Sequence, residues 1–355
     1  MASVISIQQI IYYIFQRAMA PPRRKSLKTG PSQKSSSYLS SLLKSCNMST
    51  VSKLIFSPSY SWVAAVFLLV AELVINIVVI HHVKYTEIDW LAYMQEVEGV
   101  VNGTYDYSSL RGDTGPLVYP AGFVWLYMLL YYVTSQGTNI LLAQYIFALL
   151  YVVTLGLVFR ILVRTEKVPP YILVLMSLTS YRVHSIFILR LFNDPVAVMF
   201  LYAAVNLFMD NWYSLGSIMF SLGVSVKMNI LLYSPAVLIF YLTSLGQLAT
   251  LGQLSLCAGL QLLLAAPFLW QAPTHYILGA FNLGRVFLYE WTVNFRFLPE
   301  EIFVSRIFHL SLLLAHIGVL VYCARNWWSY LAVYRKLSNI EVPNCEQLLG
   351  IYHSN

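Results

Sequence analysis

Residues 61–83 read SWVAAVFLLVAELVINIVVIHHV, and residues 84–119 continue as KYTEIDWLAYMQEVEGVVNGTYDYSSLRGDTGPLVY. The first stretch is apolar and close to the ~20 residues that a helix needs to cross a bilayer. The second is the longest polar interval between apolar runs after residue 60. It contains six acids against two bases, namely Glu87, Asp89, Glu96, Glu98, Asp106 and Asp113 against Lys84 and Arg111. A hydrated acidic segment beside an apolar helix is where we expect the chemistry of this chain.

The composition as a whole is typical of a membrane protein. Of the 355 residues, 58% are hydrophobic and only 10% are charged, whereas a soluble domain carries about a quarter charged residues. Several further apolar runs approach the spanning length. We therefore predict an all-α fold, a polytopic transmembrane helical bundle with roughly eight spans and with the site in its loops.

The positive charge is concentrated before the first span. Residues 1–60 contain eight Lys and Arg residues and no acid, and the remainder has fourteen bases against fifteen acids. Basic residues that flank a span favour the cytoplasmic side, which explains this segment better than nucleic-acid binding does. Residues 1–60 are therefore predicted to be a disordered, basic cytoplasmic tail.

This orientation predicts the side of every later segment. Residues 61–325 would form the bundle, with luminal loops at 84–119 and 268–300, and residues 326–355 would form a cytoplasmic polar tail. In the first loop, residues 90–101 carry apolar side chains at helical spacing, which predicts an amphipathic helix lying on the bilayer surface.

The apolar segment at 120–135 is short, and we predict that it is a luminal re-entrant or interfacial element. If it crossed, the basic end of the following span would be luminal, against the positive-inside rule. The predicted spans are 61–83, 139–163, 168–188, 195–210, 213–227, 229–246, 248–267 and 302–323.

The predicted luminal face combines carboxylates with cations. The acids are Glu87, Asp89 and Asp113, and the cations are Arg182, His184, Arg190, Lys227, Arg285 and Arg296. A transferase that uses a lipid-phosphate-linked sugar needs both kinds of group. One carboxylate takes the proton from the attacking hydroxyl, and cations stabilise the charge that grows on the departing phosphate.

Most of these residues also have a purely structural interpretation. Asp89 could be only the N-cap of the helix that starts at Trp90, and Asp194 fits a helix start before a proline. Lys227 lies in an apolar run and could extend to the interface, while Arg190 and Arg296 lie among aromatic residues that suit interfacial anchoring.

Three other features have no place in that chemistry. Glu72, in the middle of the first span, predicts a hydrogen bond to a neighbouring helix. The sequon at Asn102 is luminal in this topology, whereas the sequon at Asn47 is cytoplasmic and should not be used. The four cysteines show no paired spacing, so the sequence predicts neither a disulfide framework nor a metal site.

Five motifs of this chain resemble a known enzyme family. The motifs are YTEIDWLAYMQEVEGVVNGTYDY, GDTGPLVYPAGF, SYRVHSIFILRLFNDPVAV, SVKMN and WTVNFRFLPE. They are similar to those of the endoplasmic-reticulum dolichyl-phosphate-mannose-dependent alpha-1,3-mannosyltransferases of lipid-linked oligosaccharide assembly. The resemblance covers about residues 60–325 and implies a GT-C fold in a multi-pass membrane protein of the endoplasmic reticulum, with luminal catalytic loops.

The resemblance also implies a reaction and a set of roles. The family transfers mannose, with inversion, from dolichyl-phosphate-mannose to the oligosaccharide on dolichyl diphosphate, and no cofactor or metal is expected. The implied catalytic residues are Asp89 as base and Glu87 as its partner. Implied acceptor-binding residues are Asp113 and Tyr119, and the implied donor-phosphate-binding residues are Arg190, Lys227, Arg285 and Arg296. Expected partners are the donor, the acceptor and membrane lipid, without nucleic acid.

One departure from the family keeps alternatives open. The family continues past this point with several more spans, whereas this chain stops at Asn355, so a shortened form is expected. The alternatives are a mannosyltransferase acting on GPI anchors, a lipid transporter, and an inactive shortened isoform.

Overall fold

The structure is a computed structural model that describes residues 48–281, 289, 292, 295–325 and 328–329. The chain divides into two compact units, residues 1–282 and residues 283–355. In the first unit the described helices are α1 Met48–Phe56, α2 Ser61–His82, α3 Trp90–Val101, α4 Ala121–Val133, α5 Ile140–Arg164, α6 Pro170–Leu178, α7 Tyr181–His184, α8 Asp194–Met209, α9 Tyr213–Val226, α10 Ser234–Ser244, α11 Gln247–Gln271 and α12 Pro273–Ala280. In the second unit they are α13 Glu300–Phe303 and α14 Arg306–Arg325.

The remaining regular elements of the described residues are short. A two-stranded antiparallel hairpin pairs β1 Arg111–Gly112 with β2 Gly115–Pro116. Two 3-10 helices and one π-helical turn complete the list, at Pro58–Tyr60, Met228–Tyr233 and Ser185–Leu189. The predicted all-α class, a helical membrane bundle, is confirmed.

Four of the described helices are long and apolar enough to cross a membrane. They lie at Pro58–His82, Ile140–Arg164, Gln247–Gln271 and Arg306–Arg325. A bent pair, Pro170–Leu178 with Tyr181–Leu189, would be a fifth span. Length and composition thus support four or five spans, fewer than the eight or so that the sequence predicts. The difference lies in α8, α9 and the segment Met228–Ser244, which are apolar but shorter than 18 residues.

The short apolar segment after the first polar loop forms α4, which has 13 residues. At 1.5 Å per residue it is about 20 Å long, too short for a hydrocarbon core of about 30 Å. It packs inside the unit: Trp125 donates its indole N–H to the Leu264 carbonyl at 2.8 Å, and Gly122 lies directly against Ser225. Its assignment as a re-entrant or interfacial element remains a prediction.

Helix α3 forms where the periodicity predicts a helix, but its apolar face does not rest on the bilayer. Trp90, Met94 and Val97 are at most 3% exposed and belong to the main protein core. The indole N–H of Trp90 donates to the Gly137 carbonyl at 2.9 Å. The predicted bilayer-surface placement is wrong, because the face that the sequence assigns to lipid is covered by the Tyr127 and Phe147 rings and by the turn at Gly137.

Helices α8 and α9 pack closely along their lengths and are joined by the short turn at residues 210–212. Such a connection makes neighbouring helices antiparallel. The start of α8 therefore lies beside the end of α9. This places Asp194, at the start of α8, next to Lys227, which follows α9.

Glu72, the acid in the first long helix, has a hydrogen-bond partner outside its own helix, as the sequence predicts. Glu72 is 2% exposed, and its carboxylate lies 2.7 Å from Nε2 of His184. The other ring nitrogen of His184 lies 3.1 Å from the Ser180 carbonyl, and the Tyr151 ring packs against the imidazole. The predicted interhelical hydrogen bond is confirmed.

Candidate active site

Asp89 is the best-placed proton acceptor in the first polar loop. It occupies the N-cap position of α3, yet its side chain makes no capping bond. Instead its carboxylate accepts a hydrogen bond from the Tyr93 hydroxyl at a long 3.3 Å. The interpretation of Asp89 as merely a cap is therefore wrong, and much of its capacity to accept a proton remains available.

Glu87 makes the capping bond that Asp89 does not make. Its Oε1 accepts from the backbone N–H of Leu91 at 3.1 Å, in the first turn of α3. Its Oε2 accepts from the Tyr85 hydroxyl at 2.6 Å. Both oxygens have a donor, so the contacts of Glu87 are those of a residue that holds the loop against the helix.

The surroundings of Asp89 make its carboxyl more basic than usual. Burial raises the pKa of Asp89, while the hydrogen bond from Tyr93 and the charge of Lys227 act in the opposite direction. The nearby carboxylates of Glu87 and Asp194 raise the pKa further. A carboxylate with a raised pKa is a stronger base, as general-base catalysis requires.

Lys227 follows α9 in an extended conformation, at the break before the 3-10 helix. Its ammonium donates to Asp194 Oδ2 at 2.7 Å and to Asn193 Oδ1 at 3.0 Å. It also lies 5.7 Å from the centre of the Tyr119 ring. The ammonium is thus held by an acid and an amide inside the bundle. The interpretation that Lys227 extends to the membrane interface does not fit these contacts.

Sequence reasoning assigned no site role to Asn193 or Asp194. The helix start at Asp194 is predicted correctly, but the N-cap residue is Asn193, and the Asp194 carboxylate accepts a hydrogen bond from Lys227. Asn193 is fully buried, and its Nδ2 has no partner within the described residues. Lys227 itself was the available signal, because a cation in an apolar run requires a nearby acid or carbonyl.

The chain that leads to Asn193 is locally strained. A π-helical turn ends at Leu189, and Leu191 follows in the left-handed region with φ of 50°. The Thr86 N–H donates to the Leu189 carbonyl at 3.0 Å, which ties the first polar loop to this turn. Arg190, partly buried, lies between these two residues. π-turns and strained backbone of this kind are concentrated at functional sites.

Aromatic side chains form the wall beside Asp89. The Tyr93 ring contacts Tyr119, Phe123 and Tyr127 at centroid distances of 5.7, 5.2 and 4.9 Å. Burial raises the pKa of Tyr119 to about 12, so this hydroxyl stays protonated. The Tyr127 hydroxyl is buried and has no partner within the described residues.

The other predicted site residues lie outside this cluster or outside the described residues. Asp113 is exposed in the hairpin turn, where its N–H donates to Gln95 Oε1 at 2.7 Å. Arg296 belongs to the second unit, where its guanidinium donates to the Tyr289 carbonyl at 3.1 Å and lies 5.0 Å from that ring. Arg285 lies outside the described residues.

Of the predicted set, the structure therefore gathers Asp89, Glu87, Tyr119 and Lys227 and adds Tyr93, Asn193 and Asp194. A partly buried carboxylate thus lies near a paired ammonium, beside buried hydroxyl and amide donors. This combination can accept a proton and stabilise a developing anion. Within the described residues no group of three His, Cys, Asp or Glu side chains is arranged to hold a metal ion.

Comparison with known proteins gives a consistent set of similarities. A family model described as ALG3 protein matches residues 66–348. The Drosophila melanogaster dolichyl-P-Man:Man5GlcNAc2-PP-dolichol alpha-1,3-mannosyltransferase l(2)not2 is 55% identical over 325 residues, or 91% of this chain and 67% of that protein. A human protein named as an alpha-1,3-mannosyltransferase with the same donor and acceptor is 53% identical over 295 residues, or 82% of this chain and 67% of that protein.

A more distant relative extends the same pattern. The Arabidopsis thaliana protein of that name is 45% identical over 261 residues, or 74% of this chain and 59% of that protein. The chain thus spans about two thirds of the length of the curated relatives it matches. No solved structure matches the chain.

Proposed function

Because this chain belongs to the ALG3 protein family, whose close relatives are named as dolichyl-phosphate-mannose-dependent alpha-1,3-mannosyltransferases, we propose that it catalyses their reaction. Mannose would pass from dolichyl-phosphate-mannose to Man5GlcNAc2-PP-dolichol. The reaction would take place at the membrane of the endoplasmic reticulum, with residues 84–119 on the luminal side.

In the proposed mechanism Asp89 is the general base. It accepts the proton of the acceptor hydroxyl as that oxygen attacks the anomeric carbon of the donor mannose. The bond from this carbon to the phosphate oxygen breaks, and its electron pair leaves with dolichyl phosphate. Attack from the face opposite the leaving group inverts the anomeric centre.

Lys227 is proposed to stabilise the charge that grows on the departing phosphate. An ammonium held inside a bundle acts strongly on a developing anion, because the surroundings screen its charge less than water does. Asp194 and Asn193 would hold the ammonium in position before the donor binds. Arg190, Arg285 and Arg296 are proposed as further cations for the phosphate, and Asp113 and Tyr119 as contacts for the acceptor sugar.

One observation carries this proposal. The carboxylate of Asp89 is partly buried, accepts only the long bond from Tyr93 among the described residues, and lies close enough to Lys227 for that charge to affect its pKa. Glu87, two residues earlier, already has a donor on each oxygen. The two acids are therefore proposed to differ in role: Asp89 takes part in the reaction, and Glu87 is the supporting partner that shapes the loop.

The experiment compares Asp89→Asn with Glu87→Gln in membranes that lack the native enzyme. Loss of a general base lowers a rate by roughly 10²–10⁴-fold, so we expect that loss in Asp89→Asn with the protein still inserted. Glu87→Gln keeps an oxygen for the Leu91 N–H and should retain most of the transfer activity. Equal activity of Asp89→Asn and the unaltered chain would contradict the role of Asp89 and would move the base to Glu87 or Asp113.

A further inference from the structure

A glycosylation sequon, Asn102-Gly103-Thr104, follows the last turn of α3. A helix lying on the bilayer surface would hold this sequon against the membrane and hinder its use. The structure removes that obstacle. The apolar face of α3 is covered by protein, with Val97 and Val100 at most 3% exposed.

The first two residues of the sequon are open to solvent, and Thr104 is partly buried. Asn102 and Gly103 are exposed, and a Cβ placed on Gly103 would meet no atom within 4 Å. Gly103 has a φ of 93°, which turns the chain away from the helix axis. Backbone bonds from Asn102 to Glu98 and from Thr104 to Gly99, at 2.9 and 3.0 Å, define the turn.

The sequon lies on the same side of the membrane as the proposed base. Asp89 and Asn102 are separated by α3 alone, which has 12 residues. A helix of that length is about 18 Å long and cannot cross a bilayer. If the proposed function places Asp89 in the lumen, Asn102 is luminal as well.

From this exposure and placement, we propose that Asn102 carries an N-linked oligosaccharide, an inference that rests on the luminal placement in the proposed function. A separate transferase would use a lipid-diphosphate-linked oligosaccharide as the co-reactant. The amide nitrogen of Asn102 bonds to the anomeric carbon of the oligosaccharide. The bond from that carbon to the diphosphate oxygen breaks with its electron pair, and the amide loses one proton to a base.

The chain contains its own control for this modification. A second sequon, Asn47-Met48-Ser49, precedes the apolar helix Pro58–His82, which is long enough to span. If that helix crosses the membrane, the sequon before it and the sequon after it lie on opposite sides of the membrane. Only one of the two can then be exposed to a luminal transferase.

The test is to express the full chain with Asn102→Gln, Thr104→Ala or Asn47→Gln. Its gel mobility is measured before and after an endoglycosidase that removes asparagine-linked glycans. We expect one mobility step in the unaltered chain and in Asn47→Gln, and none in the other two variants. An unaltered chain that the enzyme does not shift, or a step that disappears only in Asn47→Gln, would overturn the proposal.

A mannosyl-transfer assay on the same membranes separates this inference from the proposed function. Asn102→Gln is expected to keep Asp89-dependent transfer, because Asn102 lies outside the proposed site. Transfer that depends on Asp89 without any glycan at Asn102 would overturn the modification alone. A glycan at Asn102 without Asp89-dependent transfer would overturn the proposed catalysis alone.

Discussion

The pairing of Lys227 with Asp194 allows a specific test, because the two charges should shift the pKa of Asp89 in opposite directions. The ammonium and the carboxylate are 2.7 Å apart, with 25% of the lysine side chain and 40% of the aspartate side chain exposed. The variants to compare are Lys227→Met, Asp194→Asn and the double substitution. Lys84→Met is the control, since it removes an exposed cation from the first polar loop outside the proposed site.

The expected losses follow from the kind of contact removed. A hydrogen bond to a charged group is worth roughly 1.5–3 kcal/mol, so Lys227→Met should lower kcat/KM about 10- to 150-fold. Asp194→Asn removes a partly exposed ion pair, worth up to about 1 kcal/mol. Because Asn193 still binds the ammonium, the expected loss is no more than about 5-fold.

The pH dependence of activity should shift in opposite directions in the two single variants. Asp89 acts as a base only when ionised, so activity falls as the pH drops through the pKa of Asp89. The positive charge of Lys227 lowers this pKa, and the negative charge of Asp194 raises it. Lys227→Met should therefore move the acidic limb of the pH–rate profile to higher pH, and Asp194→Asn should move it to lower pH.

The assay is mannose transfer to the lipid-linked acceptor across a range of pH, with donor concentration varied. If Asp194 acts through Lys227, adding Asp194→Asn to Lys227→Met should cause no further loss, because the unpaired carboxylate no longer faces the donor phosphate. Losses that add independently, or acidic limbs that move in the same direction in both single variants, would refute this reasoning.

Two further predictions concern stability, measured by thermal unfolding in detergent. Glu72→Ala should destabilise the bundle by roughly 1–3 kcal/mol because it leaves the partly buried His184 without its 2.7 Å partner, whereas Glu72→Gln should lose less. Gly122→Ala would place a Cβ 1.9 Å from Ser225 Oγ and should cost about 1–3 kcal/mol through overpacking.

Controls accompany both stability predictions. Gly156→Ala also adds a methyl group inside a long helix, but its Cβ would lie 3.8 Å from Leu69, at ordinary contact distance. This variant should be neutral or stabilising by about 0.5–1 kcal/mol. A Gly122→Ala protein as stable as Gly156→Ala, or equal unfolding temperatures for Glu72→Ala and the unaltered chain, would contradict the packing that these predictions use.

Features that depend on neighbouring residues in the chain could be predicted from the sequence. The first span, the helix at 90–101 and the helix start at Asp194 all appear where the pattern places them. Each is encoded by composition or by a period of a few residues, so no knowledge of distant segments is needed. The bent fifth span shows where this information ends, because the sequence predicts one span at 168–188, whereas the structure bends it by 53° between Leu178 and Tyr181.

The covering of an apolar face could not be predicted in this way. Periodicity shows that Trp90, Met94 and Val97 share a face, but lipid and protein are both apolar surroundings. In the structure, protein covers this face. The same limit applies to Glu72, where the sequence predicts a partner on another helix, and the packing of α2 with the bent pair makes that partner His184.

By itself the sequence determined that this is a helical membrane protein with an acidic polar loop, and it pointed to Asp89 and Lys227 through charges in unusual surroundings. The tertiary structure decided which charges meet. Asp194 and Lys227 are 33 residues apart in the chain and 2.7 Å apart in space. Their contact arises because α8 and α9 pack antiparallel, and the partner of a buried charge is set by such long-range packing. The residues next to a charge in the chain do not show which distant residue will be its partner.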